Sequence, residues 1–216
     1  DWDWQEMTPV GEWHTYRGVE VFEGAYDYLG MQTVPGWGGS MFEELMPSVF
    51  VPETTWAPKS WGKNHPRHVA TQRAHGLAEY GYWGVDALGM RPDGYFSDVE
   101  HTDFHWLTNP KPDFGDGVVT PHAAFLAMMH EPKDAYDNLV RIERDFDSYG
   151  RGGFYDAIAT RSGQVARRHL SLDQSMILGA LGNVLADGNI RRYFTAGEVA
   201  ARVRPVIAPE VFAPLD

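Results

Sequence analysis

The chain has no cysteine among its 216 residues. That absence excludes disulfide staples, thiolate nucleophiles and Cys-ligated metals. It is also short of positive charge. There are 18 Lys and Arg against 30 Asp and Glu, a formal net charge of −12. A polyanion such as DNA or RNA would be repelled by such a surface, whereas a neutral ligand would not. No apolar run approaches the roughly 18 residues a membrane-spanning helix needs, so no membrane span is expected. A Gly-x-Gly-x-x-Gly fingerprint and a Walker loop are missing, which removes the usual routes to nucleotide binding. So is the Gly-x-Ser-x-Gly nucleophile elbow. No His-Glu-x-x-His spacing occurs, and no zinc site and no other metal or cofactor is expected. The first residues, Asp1-Trp-Asp-Trp4, lack the basic start and apolar middle of a signal peptide. The chain opens directly in structured-looking sequence, as a mature form, a fragment or the ordered part of something longer would.

Aromatic residues, by contrast, are plentiful, with 8 Trp, 10 Tyr and 11 Phe, and 43% of the chain is hydrophobic. That is too much for a solvated tail and enough for one core. A single domain over residues 1–216 is expected. Val19–Phe22 and Tyr28–Val34 have the alternation of short strands. Helical spacing follows at residues 41–49 behind Ser40, and at residues 65–80, where Asn64 is expected to cap and Pro66 to stand at the first position. Residues 81–119 read as a long loop. Thr120-Pro121 opens an apolar helix to Met129, and Lys133–Phe146 is amphipathic with Ala135, Leu139, Ile142 and Phe146 inward. Ser171 is expected to cap a helix over 172–186 that is apolar nearly all round and therefore buried. Short helices close the chain at 189–194 and 196–203. Helices alternating with long loops make the expected class mainly α.

The chemistry concentrates in three clusters. Gly150-Arg-Gly-Gly-Phe-Tyr-Asp156 delivers an aromatic and a carboxylate from a glycine-rich turn. His169-Leu-Ser-Leu-Asp-Gln174 places a carboxylate and an amide at the mouth of a helix. Gly38-Gly-Ser-Met-Phe-Glu-Glu44 repeats the style. Rings that stack on sugar faces, carboxylates that transfer protons and amides that bond hydroxyls are what a glycan-cleaving cleft is lined with. Helix-dipole stabilisation explains Glu43 and Glu44 on structural grounds alone. Because adjacent helical residues diverge by about 100°, only one of the two can face a cleft. Tyr82, Trp83, Asp86, Tyr95 and Asp98 are candidates for a subsite lining. His122, second in its helix, is as readily a packing residue as a ligand-binding one. Arg161, Arg167 and Arg168 form the one basic island, which a phosphorylase would need for phosphate.

In order along the chain, Gly39-Ser-Met-Phe-Glu43, Leu45-Met-Pro47, Gly81-Tyr-Trp-Gly84, Gly117-Val-Val-Thr-Pro121, Gly152-Gly-Phe-Tyr-Asp156 and Leu172-Asp-Gln174 resemble the glucoamylase-like bacterial proteins. That family includes β-1,2-glucanases and a domain of cyclic β-1,2-glucan synthases. The resemblance implies an (α/α)6 toroid, of which this chain holds roughly the C-terminal half. It implies a glycoside hydrolase or transglycosylase acting on an oligo- or polysaccharide, with a β-1,2-linked glucan as the expected substrate, and a bacterial, extracytoplasmic setting. Carried over by motif, Glu43, Asp156 and Asp173 are the expected catalytic carboxylates. Trp37, Trp83, Tyr95, His122, Tyr155 and Gln174 are the expected substrate-binding residues. The pattern departs where relatives carry a longer polar segment after Trp83-Gly84. Here Gly84 runs straight into Val85-Asp-Ala-Leu-Gly89, and a shortened loop implies impaired catalysis. A non-catalytic glycan-binding module, or one part of a split toroid, is the alternative.

Overall fold

A computed structural model describes residues 9–34, 40–84 and 117–215. The chain begins with an antiparallel meander of β1 (Val10–Tyr16), β2 (Val19–Tyr28) and β3 (Met31–Thr33). Its two hairpin turns are Arg17-Gly18 and Leu29-Gly30, and all four residues have positive φ. Two-residue turns with both φ values positive match the right-handed twist of the strands they join, and a glycine in the second place lowers the steric cost. The strand after Val19 thus runs longer than its alternation predicts.

Ser40 caps α1 (Met41–Leu45), its hydroxyl accepting the Glu43 N–H at 3.1 Å. Pro47 opens a separate turn, α2 (Pro47–Phe50), so the single helix expected here is divided. After α3 (Glu53–Trp56) comes α4 (Trp61–Glu79), the longest helix among the described residues. It starts a turn earlier than predicted. The Lys63 and Asn64 N–H groups reach the Ser60 carbonyl, leaving Pro66 inside the helix. Asn64 is therefore no cap. Its amide N–H donates to the Val34 carbonyl at 2.7 Å and its carbonyl accepts the Val34 N–H at 2.8 Å, tying the end of the meander to α4.

Beyond the loop, β4 (Val118–Val119) leads through Thr120 into α5 (Pro121–Ala127), which is buried along its whole length. Next come α6 (Pro132–Asp145) and two short sheets. β5 (Tyr149–Gly150) pairs with β6 (Gly153–Phe154), and β4 pairs with β7 (Ala157–Ala159), which pairs in turn with β8 (Gln164–Ala166). α7 (Ser171–Leu185), α8 (Asn189–Phe194), α9 (Glu198–Ile207) and a 3₁₀ turn at Ala213–Leu215 complete it. The protein is mainly helical, as expected, although short strands frame the site.

One core cluster unites Met41, Leu45, Val49, Val69, Leu126, Leu139, Ile142, Phe154, Ile158, Met176 and Ala180 from α1, α2, α4, α5, α6, β6, β7 and α7. Gly179 lets α7 close on α2, since a β-carbon there would lie 2.6 Å from Val49 Cγ1. α7 departs from the expectation of full burial. Met176, Gly179, Ala180 and Asn183 face inward, but Leu178 is 71% and Leu185 78% exposed. Its apolar circumference exceeds what its neighbours among the described residues cover. α6 is amphipathic as read, with Ala135, Leu139 and Ile142 buried.

Candidate functional site

Three buried side chains converge from three elements. Thr120 leads into α5 with Pro121 at its first position, which puts His122 in the first turn. Asp156 stands between β6 and β7, its N–H donating to the Arg168 carbonyl at 3.0 Å. Asp173 lies in the first turn of α7, where the helix dipole favours a carboxylate. One ligand atom from each of His122, Asp156 and Asp173 lies within 4.8 Å of the others. Their exposures are 5%, 3% and 5%. His122 Nδ1 is 3.4 Å from Asp173 Oδ1. The other Asp173 oxygen is buried and has no hydrogen-bond partner among the described residues.

The turn that carries Asp156 is pinned by α7. The Phe154 carbonyl accepts both the His169 Nδ1–H and the Gln174 Nε2–H, each at 3.1 Å. Gly153, with φ of 104°, brings the backbone so close that an added β-carbon would stand 3.1 Å from Gln174 Oε1. Gln174 therefore orients the Gly-Phe-Tyr-Asp turn. Tyr155 is half-buried and stacks on His169 with centroids 4.9 Å apart, and the Arg167 guanidinium lies 5.5 Å from its ring. Arg167 also pairs with Asp147 at 2.5 Å, and Arg161 lies over the Tyr80 ring at 5.0 Å. The arginine island is thus divided between different partners.

α1 meets this cluster through Phe42, whose ring is edge-on to His122 at 6.4 Å. Glu43, the next residue, is half-buried. Glu44 points elsewhere. Its Oε1 accepts from Asn64 Nδ2 at 2.6 Å and lies 3.0 Å from His65 Nδ1, while His65 Nε2 lies 3.1 Å from Glu53 Oε2. Burial alone would lower the His65 pKa. The hydrogen bonds and charges of Glu44 and Glu53 overcome that and hold it at about 9. Glu44 is held below its ordinary range: burial opposes this, and the His65 and Asn64 hydrogen bonds together with the charges of His68 and His65 outweigh it. His130 is pushed down to about 3 by burial and by the charge on His65. Spacing along the chain gives no sign of this Glu44–His65–Glu53 chain, because its members are far apart in sequence and join three helices.

Of the other expected site residues, Trp83 is 2% exposed and belongs to the core cluster. With its ring covered it has packing contacts and offers no open face for a sugar. Trp37 and Tyr95, with Asp86 and Asp98, lie outside the described residues. A cavity of about 340 Å³ lies elsewhere, lined by Val10, Glu12, His14, Glu23, Gln32 and Pro214 among others, and shares no residue with the cluster.

Comparison with known proteins places the chain. Residues 7–198 match the Glycoamylase family model, described as "Putative glucoamylase". The cyclic β-(1,2)-glucan synthase NdvB of Rhizobium meliloti (strain 1021) is 31% identical over 173 residues, 76% of this chain and 6% of that protein. Among solved structures, the β-1,2-glucanase from Parabacteroides distasonis superposes with a TM-score of 0.64 at 12% identity, covering 87% of this chain and 27% of that one. The endo-β-1,2-glucanase from Chitinophaga pinensis, solved with sophorotriose and glucose, gives 0.58 at 19% identity, covering 82% and 44%. At these identities the structural likeness is one of fold. The chain belongs to the glucoamylase-like family. It spans a small fraction of the curated relative it matches and less than half of either structure.

Proposed function

We propose that this protein is a glycoside hydrolase or transglycosylase acting on a β-glucan, with β-1,2-linked glucose chains as its substrate. The observation that carries the reading is the convergence of buried His122, Asp156 and Asp173 beside α1, inside the stretch matched by the family model. The relatives and structures named above as acting on β-1,2-glucans support the substrate class. Cleavage would pass through an oxocarbenium-like transition state, with one carboxylic acid protonating the leaving oxygen and a second carboxylate serving as base or nucleophile. Glu43 takes the first role: Glu44 is committed to Asn64 and His65, whereas Glu43 is half-buried next to Phe42, which touches His122. Asp156 and Asp173 supply the second carboxylate, with His122 beside them to orient Asp173. Tyr155 lines the approach. The chain would form the C-terminal half of an (α/α)6 toroid and work outside the cytoplasm of a bacterium.

The test is direct. Purified protein is incubated with linear β-1,2-glucan and, in parallel, with β-1,3- and β-1,4-glucans, and the products are separated. The β-1,2 chain alone should be shortened, and Glu43→Gln should lower the rate by about 10²–10⁴-fold, the usual contribution of a positioned acid. Full activity in Glu43→Gln removes that residue from the role. Binding of β-1,2-glucan without turnover, in wild type and variant alike, would support instead a glycan-binding module.

A further inference from the structure

We propose that His122, Asp156 and Asp173 bind a divalent cation. The geometry is that of ligands gathered on one centre. Around a cation with bonds of about 2.1–2.5 Å, no two ligand atoms can stand more than about 5 Å apart, and all three here lie within 4.8 Å of one another. The side chains come from α5, from the β6–β7 turn and from α7, so the site is fixed by packed elements. Two of those anchors are independent of the three side chains: the Asp156 N–H bond to Arg168, and the Gln174 bond to the Phe154 carbonyl. A second observation points to a ligand. Asp173 is 95% removed from solvent, yet one of its oxygens has no hydrogen-bond partner among the described residues, and the other approaches His122 at 3.4 Å, a long contact for a charged pair. A buried carboxylate oxygen without a donor is costly unless a cation or proton completes it.

The donor set selects the ion. Two carboxylates suit Mg²⁺, Ca²⁺ and Mn²⁺, and an imidazole shifts preference away from Mg²⁺. Mn²⁺ is accordingly the best match, with Ca²⁺ as the harder alternative. Three protein ligands leave positions open, and two vicinal hydroxyls of a sugar are a fitting occupant. The inference goes beyond the hydrolytic reading and changes one part of it, since Asp156 and Asp173 would then act on the sugar through the ion. His122, Asp156 and Asp173 stand on separate elements, successive members lying 34 and 17 positions apart as their numbers show, so no local spacing announces the site.

The probe is Mn²⁺ itself, followed by loss of its free six-line electron paramagnetic resonance signal as protein is added. One ion per chain should bind with a dissociation constant of about 1 mM or tighter, and Ca²⁺ in excess should displace it if the harder ion competes. Asp173→Asn and Asp156→Asn should each weaken binding by about tenfold or more, while Glu43→Gln should bind as wild type does. Mn²⁺ should raise the melting temperature of wild type and not of Asp173→Asn, which also shows that the variant is folded. Should an aspartate variant fail to fold, His122→Gln takes its place. Absence of saturable binding of either ion, or equal binding by all variants, overturns the proposal. The two readings fail separately. Stoichiometric Mn²⁺ without glucan cleavage sinks only the hydrolytic one, and cleavage unaffected by a chelator with no ion bound sinks only the cation site.

Discussion

Two buried clusters in this protein are built from the same three parts, two carboxylates and one imidazole. In Glu44–His65–Glu53 the imidazole lies between the acids and each ring nitrogen has its own carboxylate, at 3.0 and 3.1 Å. Asn64 Nδ2 and the Ser48 hydroxyl donate to the same oxygens that His65 faces, Glu44 Oε1 and Glu53 Oε2, and Trp61 stacks on the ring at 5.4 Å. In His122–Asp156–Asp173 the ligand atoms instead lie within 4.8 Å of one another, and His122 Nδ1 stands 3.4 Å from Asp173 Oδ1. The linear arrangement gives each ring nitrogen of His65 a carboxylate and ties α1, α3 and α4 together. The convergent one gathers a ligand atom from each of three elements within 4.8 Å of the others. Composition is alike in the two, although Glu53 is only partly buried, so geometry is what most distinguishes them.

The comparison can be broken most forcefully at its functional side. Asp156→Asn and Asp173→Asn should each reduce glucan cleavage by about 10²-fold or more, measured as initial rate on linear β-1,2-glucan. On the architectural side, His65→Ala leaves Glu44 buried without its cation and should cost about 3–5 kcal/mol in urea denaturation. A loss under about 1 kcal/mol would mean that the linear cluster does not hold the fold together. Asp173→Asn, in contrast, should be neutral or stabilising within about 1 kcal/mol in the absence of added cations, because it removes an incompletely partnered charge.

A pH series sharpens the same contrast. His65 has a folded pKa raised from 6.5 to about 9, so its contribution is fully present below about 6.5 and is lost as pH rises through 9. His130 is lowered from 6.5 to about 3, so protonation favours the unfolded chain and stability falls as pH drops below about 6.5. Glu44, lowered as well, adds a loss at still more acid pH. Melting temperature against pH should therefore peak near neutrality, and His65→Gln should flatten the alkaline limb. The smallest effect expected is at Leu185, 78% exposed on α7, where Leu185→Gln should change stability by no more than about 0.5 kcal/mol. A larger loss would show that the outer face of α7 is covered in solution.

Much of the helical part was legible because its signals are local. Thr120-Pro121 starts α5 where Pro at a first position is tolerated, and the period of Ala135, Leu139 and Ile142 marks the inner face of α6. The misses have physical causes. Asn64 has the sequence marks of a cap, but Val34 and Glu44 draw its side chain into the interior and the helix extends back to Trp61. Trp83 sits in an aromatic loop motif, yet its large apolar surface is buried.

By itself the sequence determined the class of this protein. Its hydrophobic spacing points to a mainly helical chain and its ordered acidic and aromatic motifs resemble the glucoamylase-like family, and motifs are read by position, which needs no coordinates. It also determined which residue types were available for chemistry. Only the tertiary structure decided which carboxylates meet. Glu43 and Glu44 are neighbours in the chain and have different surroundings, whereas His122, Asp156 and Asp173 are distant in the chain and share one. Burial and hydrogen-bond partners depend on how elements pack, and packing is set by contacts between residues far apart in sequence.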